Sequence, residues 1–166
     1  MVNSVERVRA VASSVPDPEL PPLTLADLGV LRSVSVDADS GAVTVTITPT
    51  YSGCPALEVM RADLVSRLAA AGHADVRVQV ALAPAWTTDW ITDEGRRKLA
   101  SAGISPPGRV GPRGPVPLVL SPSPPSAACP RCGSESVELS RFGSTPCKSL
   151  RRCTSCGEPF EHFKEH

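Results

Sequence analysis

The chain has 166 residues, 41% of them hydrophobic and only 4% aromatic, so its core must be aliphatic and its length suits one compact domain plus a small module. Seventeen basic residues balance seventeen acidic ones, which removes any whole-chain case for a nucleic-acid or membrane-surface partner. No apolar run reaches the roughly eighteen residues of a membrane span, and Glu6, Arg7 and Arg9 break any signal-peptide pattern at the N-terminus, so the chain is expected in the cytoplasm with no membrane partner.

The spacing predicts an amphipathic helix over 2–14, with Val2, Val5, Val8 and Val11 or Ala12 on one stripe. Val15-Pro16-Asp17-Pro18-Glu19 stops it, because proline disfavours helix in the residue before it. Leu20 to Leu28 reads as a loop with a helical turn, closed by Gly29. The period then changes to two. Val30, Val34 and Val36 alternate with Leu31, Ser33 and Ser35, and Val43, Val45 and Ile47 alternate with threonines. The turn-forming Asp37-Ala38-Asp39-Ser40-Gly41 between them makes this a hairpin with one apolar face.

Helical spacing returns over 55–71 through Leu57, Met60, Leu64, Val65 and Leu68, with Gly72 as the stop. Val76, Val78, Val80 and Leu82 predict a third strand, broken by Pro84. Trp86 to Ala102 predicts a loop and a further helix, capped by Thr92 or Asp93 and ended by Gly103. The expected fold is α+β: a small three-stranded ββαβα sheet over 1–103 with helices on one face. Residues 104–128 hold eight of the eighteen prolines and read as a linker. A cysteine module occupies 129–166.

In a reducing compartment six cysteines read as metal ligands or reactive thiols rather than disulfides. Cys129 and Cys132 form one C-x-x-C pair, Cys153 and Cys156 another, with twenty residues between them. Two residues between thiolates let one tight turn present both sulfurs to one ion, and two such turns give a tetrahedral site. The reading is a zinc ribbon with a structural zinc ion on Cys129, Cys132, Cys153 and Cys156; an iron–sulfur cluster on the same residues is the competing one. Gly133 and Gly157 follow the second cysteine of each pair, where the turn must fold back. Cys147 fits neither pair and is either a spare thiol or a core residue. His162 and His166 are read as solvated. The module's six cations stand against five acids, a weak case for nucleic acid.

Cys54 lies between the second strand and the 55–71 helix, with Pro55 suited to the first helical position. That places Cys54 at or beside the N-cap, where free amides and the helix dipole favour a thiolate. Spacing alone leaves two readings open, a nucleophilic or metal-binding sulfur and a small side chain filling the corner. Asp17 and Glu19 flank a stiff proline; they could bind a metal or orient a thiol, or serve as solvated turn acids. No Ser-His-Asp set and no phosphate-cradling glycine loop are present.

Val15-Pro16-Asp17-Pro18-Glu19, Leu25-Ala26-Asp27-Leu28-Gly29-Val30 and Thr48-Pro49-Thr50-Tyr51-Ser52-Gly53-Cys54-Pro55, in this order, resemble the SufT-type family once called domain of unknown function 59. Three further stretches are similar to the PaaD (PaaJ) family of the aerobic phenylacetate pathway. They are Pro84-Ala85-Trp86-Thr87-Thr88-Asp89-Trp90, Gly103-Ile104-Ser105-Pro106-Pro107, and the tail from Phe142-Gly143-Ser144-Thr145 through Cys147-Lys148 to Glu158-Pro159-Phe160. The resemblance implies a domain associated with iron–sulfur cluster assembly, and the family's acidic turn and Cys-Pro corner match Asp17, Glu19 and Cys54. It also implies work beside phenylacetyl-CoA epoxidase, whose other subunits carry a di-iron site and a flavin and iron–sulfur reductase. The family often has another cysteine after Phe-Lys near the end; Glu165 stands there, so a fifth sulfur ligand is missing.

Three functions compete. A maturation factor would use Cys54, aided by Asp17 or Glu19, to hold iron or an iron–sulfur cluster transiently for the reductase or the di-iron subunit. A stoichiometric structural or electron-transfer subunit would stay bound to the oxygenase, although no flavin or stable-cluster motif supports electron transfer. A nucleic-acid-binding ribbon would need more charge and more aromatics. A free-standing enzyme has no acyl-CoA pocket motif to stand on.

Overall fold

The computed structural model describes residues 2–111 and 127–166. The middle of the stretch read as a linker, 112–126, lies outside the described residues. The chain divides into two compact units, Met1–Gly95 and Arg96–His166.

The first unit holds α1 (Val2–Ser13), β1 (Leu31–Val36), β2 (Val43–Ile47), α2 (Leu57–Ala70) and β3 (Val76–Val80). β1 and β2 form the antiparallel hairpin that the valine alternation predicts. β3 returns parallel to β2 after the α2 crossover, giving the order β1-β2-β3. Val43, Val45 and Ile47 are fully buried while the threonines between them are half-buried, so one face of β2 meets the core. α1 packs on β1, α2 against β3, and the two helices on each other, so both cover the same face. Met60, Leu64 and Leu68 carry α2 into that core, each contributing about 1.5–3 kcal/mol. Val65, expected on the same stripe, is exposed, because its position rotates away from the row set by the other three. A last helix, α3 (Asp93–Ser101), spans the division between the units. Thr92 caps it, its Oγ1 accepting from the Gly95 amide at 3.0 Å.

The second unit holds β4 (Ile104–Ser105), β5 (Ser136–Ser140), β6 (Lys148–Cys153) and β7 (Pro159–Phe163) in the order β4-β7-β6-β5. Ile104 and Ser105 open the stretch read as a linker, and here they pair parallel with Glu161 and His162 of β7. A second tie reinforces that pairing. His162 Nδ1 donates to the Ser105 carbonyl at 3.1 Å, and its Nε2 faces the Glu165 carboxylate at 3.3 Å. Glu165 accepts from the Gly108 amide at 3.0 Å. Burial alone would raise the Glu165 carboxyl, but His162 and the Gly108 amide hold it down at about 2. His162 is therefore buried, not solvated as its place near the C-terminus suggests.

Leu23, Leu25 and Leu28 are buried in the segment between α1 and β1, where Thr24 and Asp27 exchange side-chain hydrogen bonds with each other's amides at 2.8 and 3.1 Å. Trp86 Nε1 donates to the Leu28 carbonyl at 2.9 Å, and the Arg32 guanidinium lies 3.5 Å from the centroid of the Trp90 ring. Gly29 makes this approach possible: its φ is +67°, and a Cβ there would sit 2.4 Å from the Trp90 carbonyl oxygen. Gly29→Ala is expected to lower the unfolding free energy by about 2–4 kcal/mol, through backbone strain and steric overlap together. Urea denaturation of the zinc-loaded chain measures it, and a loss below about 0.5 kcal/mol, the range of a neutral surface change, contradicts the account.

Candidate metal centre and the cysteine turn

Each cysteine pair sits on a tight turn closed by its own backbone. The Gly133 amide donates to the Cys129 carbonyl at 2.8 Å, and the Cys129 amide to Ser134 at 2.9 Å. In the second turn the Cys153 amide donates to Glu158 at 3.0 Å, while the amides of Ser155 and Cys156 point at the Cys153 sulfur, both at 3.4 Å. Gly133 and Gly157 have φ of +75° and +74°, the left-handed conformation that lets each turn reverse. The four sulfurs lie within 4.8 Å of one another. Three separations are 3.5, 3.7 and 3.9 Å. A tetrahedral ion with metal–sulfur bonds of about 2.3 Å needs sulfurs about 3.8 Å apart, which these three separations match. With all four positions taken by sulfur, a bound ion would serve as a cross-link with no open coordination site.

The thiols do not titrate alike. The Ser134 hydroxyl and amide pull Cys132 down to about 6. The Cys156 amide lowers Cys153. At Cys156 the Glu158 amide lowers the thiol, but contacts with the neighbouring sulfurs and burial outweigh it and push it up to about 11. Four thiolates this close repel one another, and a divalent cation is the natural counter-charge. Cys129 and Cys153 are buried beside Phe160, whereas Cys132 and Cys156 are exposed.

Cys147 stands apart from the metal centre as a buried core thiol, 3.1 Å from the Thr145 hydroxyl. Two cations counted as surface charge are buried as well. Lys148 Nζ meets Glu161 at 2.7 Å and the Ser144 hydroxyl at 2.6 Å. Arg151 is 1% exposed, its Nε held by Ser136 Oγ at 2.9 Å. Sequence reasoning missed these inward-facing groups, although the two-residue period of β6 puts Ser149, Arg151 and the metal-facing Cys153 on one face.

Cys54 is half-buried in a turn that precedes α2 rather than at its cap. The helix starts at Leu57, and Ala56, in the right-handed α conformation, occupies the cap without a side-chain hydrogen bond. The Leu57 amide donates to the Cys54 carbonyl and the Cys54 amide to the Tyr51 carbonyl, both at 3.2 Å. A tighter turn over 54–57 therefore stands where Pro55 suggests the first helical residue. Asp17 is buried and its Oδ1 accepts from the amides of Glu19 and Leu20, both at 2.9 Å, so one carboxylate oxygen shapes the turn itself. Glu19 is half-buried. Among the described residues, the four ribbon cysteines are the group whose ligand atoms lie close enough to share an ion; Asp17, Glu19 and Cys54 form no second such cluster.

Residues 5–80 match the family described as iron-sulfur cluster assembly protein, and residues 114–164 match the PaaD zinc beta ribbon domain. The chain is 43% identical over 161 residues, 96% of its own length and 92% of the relative's, to an Escherichia coli protein provisionally named as a subunit of 1,2-phenylacetyl-CoA epoxidase. It is 33% identical over 95 residues, 57% of this chain and 89% of the relative, to an Fe-S protein maturation auxiliary factor of Porphyromonas gingivalis. The crystal structure of a domain of unknown function from Bacillus anthracis superposes with a TM-score of 0.55 at 23% identity, over 59% of this chain and 92% of that one, which speaks to the fold of the first unit.

The geometry separates the two kinds of ribbon cysteine. The chain is expected to bind one equivalent of zinc, which Cys132→Ser loses and Cys147→Ser retains. Metal analysis after gel filtration decides it; zinc lost equally from both variants would contradict the four-sulfur assignment.

Proposed function

Because this chain belongs to the PaaD family of phenylacetyl-CoA epoxidase subunits, we propose that it is an accessory protein of that oxygenase in phenylacetate degradation, acting in the cytoplasm to supply iron or an iron–sulfur cluster to a partner subunit. The observation that carries this reading is the pairing, on one chain, of an iron-sulfur cluster assembly segment with a ribbon of the epoxidase-associated type.

In this reading residues 1–103 handle the cargo and 129–166 form a zinc ribbon that serves as the docking module. Cys129, Cys132, Cys153 and Cys156 hold structural zinc. Cys54, the sole cysteine before the ribbon, offers one half-exposed thiol on a backbone-fixed turn, suited to a transient contact with iron. Asp17 keeps the neighbouring acidic turn in shape through the amides of Glu19 and Leu20, and Glu19 assists at the cargo. The clients are the reductase or the di-iron subunit. Nucleic acid is a poor partner because Lys148 and Arg151 are buried.

A second reading, a stoichiometric structural or electron-transfer subunit, draws on the word subunit in the name of the Escherichia coli relative. The two part company in one experiment. Epoxidase subunits purified from cells without this chain should be low in iron and in phenylacetyl-CoA oxidation, and adding the purified chain should not rescue them. Cys54→Ser should reproduce the defect, lowering activity by about tenfold or more as loss of a metal contact commonly does, with zinc content and circular dichroism unchanged. Full iron without the chain, with activity restored on simple addition, would establish the stoichiometric subunit instead.

A further inference from the structure

One face of the ribbon sheet has buried donors without acceptors among the described residues. Ser149, Arg151 and His162 meet there by register: Ser149 pairs with His162, and Arg151 with Glu138. They line a cleft of about 400 Å³. Its floor is dry, with Ser149 at 0%, Arg151 at 1% and His162 at 2% exposure. Its rim is open: the Arg141 side chain is 82% exposed and Phe142 77%.

Two floor atoms, Ser149 Oγ and Arg151 Nη1, have no hydrogen-bond partner among the described residues. The rest of the Arg151 guanidinium is fixed, Nε on Ser136 Oγ at 2.9 Å and Nη2 on the Ser136 carbonyl at 3.3 Å. The carboxylate facing Nη1, that of Glu138, stands at 3.6 Å, too far for a hydrogen bond. The same Glu138 is shared with Arg141 Nε at 3.7 Å. His162 cannot serve as acceptor, since its ring is engaged by the Ser105 carbonyl and by Glu165. Lys164 adds a third cation at the rim, its Nζ donating to the Arg141 carbonyl at 3.3 Å. Three cations thus face two carboxylates, and one of those carboxylates is already tied to His162.

A buried hydroxyl and a buried guanidinium N–H that lack acceptors are destabilising unless something completes them. An acceptor that also carries negative charge answers both deficits, because the Arg151 charge is out of water and incompletely neutralised. We propose that this cleft binds an anionic oxygen group, a carboxylate or a phosphate, seated on Ser149 Oγ and Arg151 Nη1 with Arg141 and Lys164 closing over it. Phe142, open at the rim, would cover an apolar part of the ligand that bears the anion.

The test uses the full zinc-loaded chain labelled with nitrogen-15. Sodium phosphate and sodium acetate are titrated separately, with sodium chloride adjusted to constant ionic strength. Saturable shifts are expected at the amides of Ser149, Arg151 and His162. Ser149→Ala should weaken the binding about fivefold, the effect of one net hydrogen bond, without loss of thermal stability, since it removes a hydroxyl the fold does not satisfy. Lys164→Ala, at a half-exposed position, should weaken it as well. Saturation with phosphate alone identifies a phosphate-bearing ligand, and saturation with acetate identifies a carboxylate. Shifts that rise linearly with both anions, or unchanged affinity in Ser149→Ala, would overturn the proposal.

Discussion

Four sulfurs held within 4.8 Å of one another form a ready site for one cation, and the turns of the second unit are built to bring them there. One buried apolar cluster of the unit is Cys129, Cys153 and Phe160, so two of the ligands are themselves part of the core. A unit of this kind has little else to drive its folding. Metal binding in such modules supplies on the order of 10–16 kcal/mol at neutral pH, and the binding energy is folding energy. The sheet then becomes firm enough to bury groups that would otherwise stay in water. Lys148 and Arg151 enter the interior of the unit because β5, β6 and β7 hold Glu161, Ser136 and Glu138 against them.

The first unit works on the opposite principle. Its stability comes from an aliphatic core beneath α1 and α2, with β2 fully buried on one face. No metal is needed to hold Val43, Val45, Ile47, Leu64 and Leu68 together. That leaves Cys54 outside the stabilising core, on a turn whose backbone is fixed by Tyr51 and Leu57. A thiol whose position is set but whose burial is incomplete can be used for chemistry. The chain therefore separates a sulfur set that builds structure from a half-buried cysteine on a fixed turn, each in its own unit.

Legibility in the sequence follows the strength of local signals. The Val and Thr alternation of β2 and the paired C-x-x-C spacings each state a geometry within a few residues, and both are readable. Gly133 and Gly157 mark the reversals of the ligand turns for the same reason. The inward course of Lys148, Arg151 and His162 is not readable, because a charge count treats every cation as solvated. Their partners, Glu161, Ser136, Glu138 and Ser105, become neighbours only through strand pairing. β4 is two residues long, too short for any period to register, and its pairing with β7 joins residues 57 positions apart. Sequence places the start of α2 two residues early, since the preference of proline for a first helical position applies equally to the turn before it.

The burial of the six sulfurs also makes the chain a counter of its own metal. Cys147 is buried, and so are Cys129 and Cys153. With the ion in place, all four ribbon thiols are coordinated, and Cys54 alone is addressable by a maleimide. With the ion gone, the exposed Cys132 and Cys156 accept label first, and the buried thiols of the unit follow as its fold is lost. The stoichiometry of alkylation therefore reads metal occupancy directly.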